Sequence, residues 1–99
     1  MKLRTGQRLR SVACATTVIV VRAGDGDVDL RCAGHPMVPV GDEADAAAPV
    51  DVTAEPAAMG KRYQEGDVEL LCTKAGGGGL TIGSVAVPVR QAAALPASD

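Results

Sequence analysis

The side chains best suited to chemistry in this sequence are three cysteines, Cys14, Cys32 and Cys72, and the single histidine, His35. Cys32 and His35 are separated by two residues, so one turn of the chain can present a thiolate and an imidazole to the same zinc ion. The four residues are therefore a candidate zinc or iron site, with Cys72 as a ligand from a distant segment. A second interpretation stays open: the cysteines are small core residues and His35 lies in an exposed loop.

Residues 8–38 carry a family resemblance. The stretch SVACA at residues 11–15 is followed by a run rich in β-branched residues and then by LRCAGHPM at residues 30–37. This order resembles a desulforedoxin-like or rubredoxin-like small metal ribbon, in which a Cys-x-x-Cys pair, a β-hairpin and a Cys-Cys-Gly-x-Pro-Met segment hold iron or zinc. The resemblance implies a β-ribbon over the first third of the chain, with Cys14 and Cys32 in ligand positions.

The cysteine set of that family is incomplete here. Ser11 and Ala33 stand where the resemblance calls for two further cysteines, so Cys14 and Cys32 alone keep ligand identities. Two thiolates do not close a tetrahedral site. The site would need other ligands from the candidate set or from a second copy of the chain. Without them the ribbon holds no metal, and we expect no cofactor, with zinc or iron as the alternative.

No other pattern in the sequence names a reaction. The glycines at residues 76–79 are followed by Leu80-Thr81-Ile82 rather than by the Lys and Ser or Thr of a phosphate-binding loop, so they predict a hairpin loop. No serine or cysteine nucleophile has a recognisable histidine and carboxylate partner. We therefore predict that the protein is not an enzyme, while a thiol-redox protein using one cysteine remains a third possibility.

Composition favours a protein that packs on something larger. The 99 residues include no Phe, no Trp and one Tyr, so the core must be thin and aliphatic. Small domains of this kind gain stability from a partner or a metal. We predict a non-enzymatic accessory or subunit-like chain that binds a larger protein partner or forms a homo-oligomer.

Charge and hydropathy exclude other partners. The net charge of −2 and the lack of aromatic residues argue against nucleic acid. No run approaches the roughly 20 apolar residues of a membrane span. With no convincing secretory signal, we expect a cytoplasmic protein with reduced thiols.

The expected fold is mostly β, with little helix: two small related β-hairpin or meander modules that form one small domain. The predicted divisions are a β-ribbon module at 1–40, an acidic Ala/Pro-rich linker at 41–60, a second β module at 61–90 and a loose tail at 91–99.

An internal repeat supports the two modules. GDVDLRC at residues 26–32 returns as GDVELLC at residues 66–72, and Gly6-Gln7-Arg8 has a counterpart in Gly60-Lys61-Arg62. The repeat predicts that the two cysteines it contains lie at equivalent places. Within it, apolar residues alternate with carboxylates, which predicts strands with one solvated face. We expect the strand at 27–32 to form a hairpin with the β-branched run at 6–22.

Overall fold

The computed structural model describes residues 2–48 and 55–90. Within these ranges the chain forms nine β-strands and no helix, which confirms the predicted mostly β fold. The strands are β1 (Arg8–Arg10), β2 (Thr17–Arg22), β3 (Leu30–Cys32), β4 (His35–Pro36), β5 (Val38–Pro39), β6 (Arg62–Glu65), β7 (Val68–Lys74), β8 (Leu80–Ile82) and β9 (Val85–Ala86).

The described strands form two antiparallel sheets. One has five strands in the order β5-β1-β2-β7-β6, and the other has four in the order β4-β3-β8-β9. β2 and β3 therefore lie in different sheets, and the expected hairpin between residues 6–22 and 27–32 is wrong. The chain crosses between the sheets through residues 23–29, and each strand finds its partners elsewhere.

Apart from the edge strand β5, the two strand orders are symmetric, because β1–β4 of one half are arranged as β6–β9 of the other, and an isolated Tyr63–Val89 bridge stands beside β6 where β5 stands beside β1. We call residues 2–48 the N-terminal half and residues 55–90 the C-terminal half. Backbone hydrogen bonds repeat across the halves: Met37 N–H donates to Leu30 O at 3.1 Å, and Val87 N–H donates to Leu80 O at 3.0 Å. An approximate twofold axis between β2 and β7 and between β3 and β8 accounts for this pairing.

The same axis relates the two Gly-x-Arg triplets but not the two cysteines of the sequence repeat. Gly6 N–H donates to Val20 O and Gly60 N–H donates to Cys72 O, so Cys72 is the counterpart of Val20. Cys32 lies in the four-stranded sheet, whereas Cys72 lies in the five-stranded one. The prediction that these cysteines occupy equivalent places is wrong. The two copies of the repeat form β3 and β7, and these strands pair with different neighbours in different sheets.

The core is aliphatic, and its members lie on the facing sides of the two sheets. Tyr63 is the single aromatic residue of the chain, and it is 5% exposed. The largest side chains with almost no exposure are Leu9, Leu30, Met37, Leu70, Leu80, Val18 and Val20, together with Thr16, Cys32 and Cys72.

β7 departs from the alternation predicted for it. Glu69 was expected on a solvated face, yet it is 3% exposed, because β7 is an inner strand and the side chains of Arg62 and Arg90 lie against the carboxylate. Its carboxylate is satisfied by two cations, Arg90 at 3.1 Å and Arg62 at 3.4 Å. A buried carboxylate without such partners would be strongly destabilising.

The linker predicted at 41–60 is described only in part. Its residues 49–54, like the tail predicted at 91–99, lie outside the described residues. No strand forms in the described residues of the linker, and no helix in the described part of the chain is long and apolar enough to cross a membrane.

Each described part of the linker makes a backbone hydrogen bond within its own half. Ala47 N–H donates to Val12 O at 2.9 Å, and buried Ala57 donates to Gly78 O at 3.1 Å. The second contact anchors the loop between β7 and β8.

The tight aliphatic packing around β7 predicts the response to truncation. Replacing the fully buried Leu70 by alanine should lower the free energy of unfolding by about 2–5 kcal/mol, through lost burial and the cavity left behind. Chemical denaturation followed by far-UV circular dichroism measures the change. The matched control is Val85→Ala, since Val85 is 54% exposed and should lose less than about 0.5 kcal/mol. Equal losses in the two variants would contradict the described core.

Candidate functional site

The site is built on the loop between β1 and β2, residues 11–16, which we call the cysteine loop. Ser11 N–H donates to Thr16 O at 2.9 Å and closes the loop at its base. Inside it, Ser11 Oγ accepts hydrogen bonds from the N–H groups of Ala13 (3.0 Å) and Cys14 (3.2 Å). Serine favours such local side-chain to backbone bonds, so Ser11 fixes the direction in which Cys14 leaves the loop.

The second thiol comes from the end of β3. Cys32 Sγ lies 3.8 Å from Cys14 Sγ, close enough for a weak thiol hydrogen bond. Cys32 has 0% exposure, whereas Cys14 is partly exposed. The structure thus pairs a partly exposed cysteine with a fully buried one.

Two hydroxyl groups complete the polar cluster. Thr16 Oγ1 lies 3.2 Å from Cys14 Sγ, and Thr16 is itself fully buried. Ser11 Oγ already accepts two backbone N–H bonds, and a hydroxyl has two acceptor positions and one hydrogen. Its hydrogen is therefore left to donate, and it favours the thiolate form of Cys14.

A loop from the C-terminal half covers this cluster. It comprises residues 75–79, between β7 and β8, and we call it the glycine loop. A Cβ at Gly76 would lie 2.6 Å from Thr16 N, and one at Gly78 would lie 3.1 Å from Cys32 Sγ and 2.7 Å from Ala33 Cβ. Real Cβ atoms do not approach this closely, so these two positions accept only glycine without a shift of the chain.

The turn after β3 is shaped to meet the glycine loop. Ala33 and Gly34 have φ values of 55° and 85°, which suit the two central residues of a tight β-hairpin turn. For alanine this left-handed conformation is strained by about 1 kcal/mol. Ala33 N–H donates to Gly79 O at 3.2 Å, and this bond helps to hold the turn against the loop.

The environment separates the acidities of the two thiols. Burial by itself raises the pKa of Cys14, but the Ser11 and Thr16 hydroxyls and the backbone N–H groups of Thr16 and Gly78 favour the thiolate. Together they lower its pKa from 9.0 to about 6. Burial, with the negative charge of Cys14, raises the pKa of Cys32 to about 11. At neutral pH the pair therefore holds one thiolate and one thiol.

Neither of the other two predicted site residues is hydrogen-bonded to a sulfur of this pair in the described structure, although the charge of Cys14 contributes, after burial, to a raised pKa at Cys72. Cys72 is buried in β7 with its Sγ 3.3 Å from Lys74 O, and burial raises the pKa of its thiol. His35 Nε2 contacts Ala48 O at 2.8 Å.

The donor set can be tested against the metal that the resemblance implies. Among residues 2–48 and 55–90 no three His, Cys, Asp or Glu side chains come together in a metal-binding group. The cluster around the sulfurs offers two thiols and two hydroxyls, and it does not fit the closed thiolate site of the resembled family. The prediction of zinc or iron on Cys14, Cys32, His35 and Cys72 stays a prediction.

Sequence reasoning did not single out the residues that tune the pair. Ser11 entered only as a missing cysteine, Thr16 as a β-branched strand residue, and Gly78 as part of a flexible loop. A local signal existed for the first two, since hydroxyl residues stand three before and two after Cys14. Nothing local places Gly78, because its contact with the pair is made by chain folding alone.

Comparison with known proteins adds no relative. No protein-family model, no curated protein and no solved structure matches this chain. The fold and the site together define a small two-sheet β protein with a covered cysteine pair.

The acidity of Cys14 predicts its reactivity profile. In the native protein, alkylation of Cys14 by iodoacetamide should rise with pH through a midpoint of about 6, because only the thiolate reacts. Below that pH the thiol predominates and the rate falls. Rates at a series of pH values are read by mass spectrometry of the Cys14 peptide. Thr16→Val should move the midpoint upward, because one donor to the thiolate is lost. The control is Thr17→Val, whose hydroxyl contacts Ala15 O instead. A wild-type midpoint near 9 would contradict the described environment.

Proposed function

We propose that this protein is a thiol–disulfide redox protein whose centre is the pair Cys14 and Cys32. The observation that carries the proposal is the 3.8 Å separation of their sulfur atoms within one polar cluster. The pair also joins an accessible sulfur to a fully buried one, so the two thiols can take different roles.

The chemistry is a two-electron oxidation. The two thiols lose two protons and two electrons to an oxidant such as a hydroperoxide, a disulfide or diamide, and one S–S bond forms. The sulfurs must approach from 3.8 Å to about 2 Å. Cys14 lies on a loop rather than in a strand, and rotation of its side chain with a small loop shift can supply this movement.

The roles of the two cysteines follow from their different exposure to solvent. An oxidant reaches Cys14 first, because Cys32 has no exposed surface. Cys32, which is buried, then attacks the oxidised Cys14 and forms the disulfide. The hydroxyls of Ser11 and Thr16 stabilise negative charge on the attacking sulfur.

The sequence-based expectation of a non-enzymatic accessory chain with a larger protein partner stays a prediction beside this proposal. Thin aliphatic packing supports it, and a redox pair is compatible with it. The expected cytoplasmic location likewise stays a prediction.

The proposal predicts a specific disulfide. Treating the reduced protein with a small excess of diamide should join Cys14 to Cys32 within one chain and leave Cys72 free, because only the first two sulfurs lie together. Peptide mapping by mass spectrometry without reduction identifies the bond.

Two variants serve as controls for that bond. Cys72→Ala should form it normally, whereas Cys32→Ala should form no disulfide within the chain. A bond that always includes Cys72, or no intrachain bond under any oxidant, would sink the proposal.

Oxidation should also stabilise the fold. The bond closes a loop of about 18 residues and restricts the unfolded chain, which is worth about 3 kcal/mol if the native geometry accepts it. Denaturation of the oxidised and reduced forms of Cys72→Ala measures the difference. A lower stability in the oxidised form would mean that the bond strains the site and that the pair is not built to close.

A further inference from the structure

Access to the cysteine pair is limited by the glycine loop. Gly78 packs against Cys32 Sγ and Ala33, and Gly76 packs against Thr16 at distances that leave no room for a side chain. Gly78 is also tied in place, since its carbonyl accepts from Ala57 N–H at 3.1 Å. An oxidant therefore meets one sulfur, Cys14, beside a fixed wall of backbone.

This geometry disfavours a bulky disulfide as oxidant. Thiol–disulfide exchange passes through a mixed disulfide, so a substituted sulfur would have to sit on Cys14, beside the wall. Cys32 would then have to attack from beneath with the whole substituent still attached. A hydroperoxide leaves only one oxygen on Cys14, which adds far less bulk beside the glycine loop than a disulfide substituent does.

The polar cluster suits the leaving group of a hydroperoxide. When a thiolate attacks an O–O bond, negative charge develops on the departing oxygen. Hydroxyl donors preorganised beside the reacting atoms stabilise such charge. Thr16 Oγ1 lies 3.2 Å from Cys14 Sγ, and the hydrogen of Ser11 is left to donate into the same cluster.

We propose that the oxidant of this pair is a small hydroperoxide, reduced at Cys14 and resolved by Cys32. This inference rests on the proposed redox function and names its substrate class. It is carried by the contact of the glycine loop with the pair and by the two hydroxyls beside Cys14.

Both steps balance. In the first, Cys14 thiolate attacks the nearer oxygen, the S–O bond forms and the O–O bond breaks. The departing oxygen takes a proton and leaves as water or an alcohol, and the sulfur becomes a sulfenic acid. In the second, Cys32 Sγ attacks Cys14 Sγ, the S–S bond forms and the S–O bond breaks. The thiol proton of Cys32 leaves with the hydroxide as water.

The experiment compares oxidants of different bulk on the full chain carrying Cys72→Ala. Hydrogen peroxide, cumene hydroperoxide and glutathione disulfide are each mixed with the reduced protein, and formation of the Cys14–Cys32 bond is timed. Every rate is divided by the rate of N-acetylcysteine thiolate with the same oxidant, which removes intrinsic reactivity. We expect the normalised rate with hydrogen peroxide to exceed that with glutathione disulfide by at least about tenfold, the size of one or more lost contacts, with cumene hydroperoxide between them.

A variant tests the hydroxyl directly. Thr16→Val keeps the shape of the side chain and should slow the reaction with hydrogen peroxide by about tenfold, the worth of one hydrogen bond, when rates are compared at a pH where Cys14 is fully ionised in both proteins. Thr17→Val is the matched control, since its hydroxyl bonds to Ala15 O and not to the pair. It should react as the parent protein does. Unfolding curves of both variants check that each is folded.

The outcomes separate the two proposals. If diamide forms the Cys14–Cys32 bond but hydrogen peroxide reacts no faster than N-acetylcysteine, or glutathione disulfide reacts equally well, the hydroperoxide inference is overturned and the redox function stands. If neither diamide nor any other oxidant forms the bond, both fail. A Thr16→Val rate equal to that of Thr17→Val also overturns the inference.

Discussion

The antiparallel pairing of β2 with β7 is the interaction on which the rest of this structure depends. It joins the two halves into one five-stranded sheet, with Val18 opposite Cys72 and Val20 opposite Leu70, all four buried. Because the strands run in opposite directions, the end of β7 lies beside the start of β2. The glycine loop that follows β7 is thereby brought over the cysteine loop that precedes β2, and it covers the pair of Cys14 and Cys32.

The two halves are related by approximate twofold symmetry, but the cysteine site is present in the N-terminal half alone among the described residues. In the N-terminal half the cysteine loop of residues 11–16 joins β1 to β2, whereas in the C-terminal half a tight turn at residues 66–67 joins β6 to β7. The glycine loop packs on the first, and Gly24 packs on Asp67 of the second, where its Cβ would lie 3.2 Å from the Asp67 Cβ. Both halves thus cover each other in the same way, but only one covered loop carries a thiol. The C-terminal half contributes the cover and the N-terminal half contributes the chemistry.

Within the pair, reactivity is set by what surrounds each sulfur and not by the sulfur itself. Cys14 is partly exposed and is stabilised as a thiolate by hydroxyls and backbone N–H groups, whereas Cys32 is enclosed and stays protonated. Ser11 contributes to this difference, because its hydroxyl favours the thiolate of Cys14.

The sequence by itself determined the β class, most of the strand-forming segments, the aliphatic core and the cysteines of the candidate site, because β-branched runs, glycine turns and cysteines act through local geometry and side-chain type. It did not predict β4 and β5, because His35 and Pro36 were interpreted as a loop that ends the strand. It did not determine which strands pair, since residues 27–32 and 66–72 look alike yet enter different sheets, and similar strands carry no record of their neighbours. It also left Glu69 on a solvated face, because alternation cannot show that an inner strand is covered on both sides. Only the tertiary structure decided that Cys14 meets Cys32 and not Cys72. The two sulfurs are distant along the chain, and they come together because strand pairing and burial of the core bring the cysteine loop and the end of β3 to the same place.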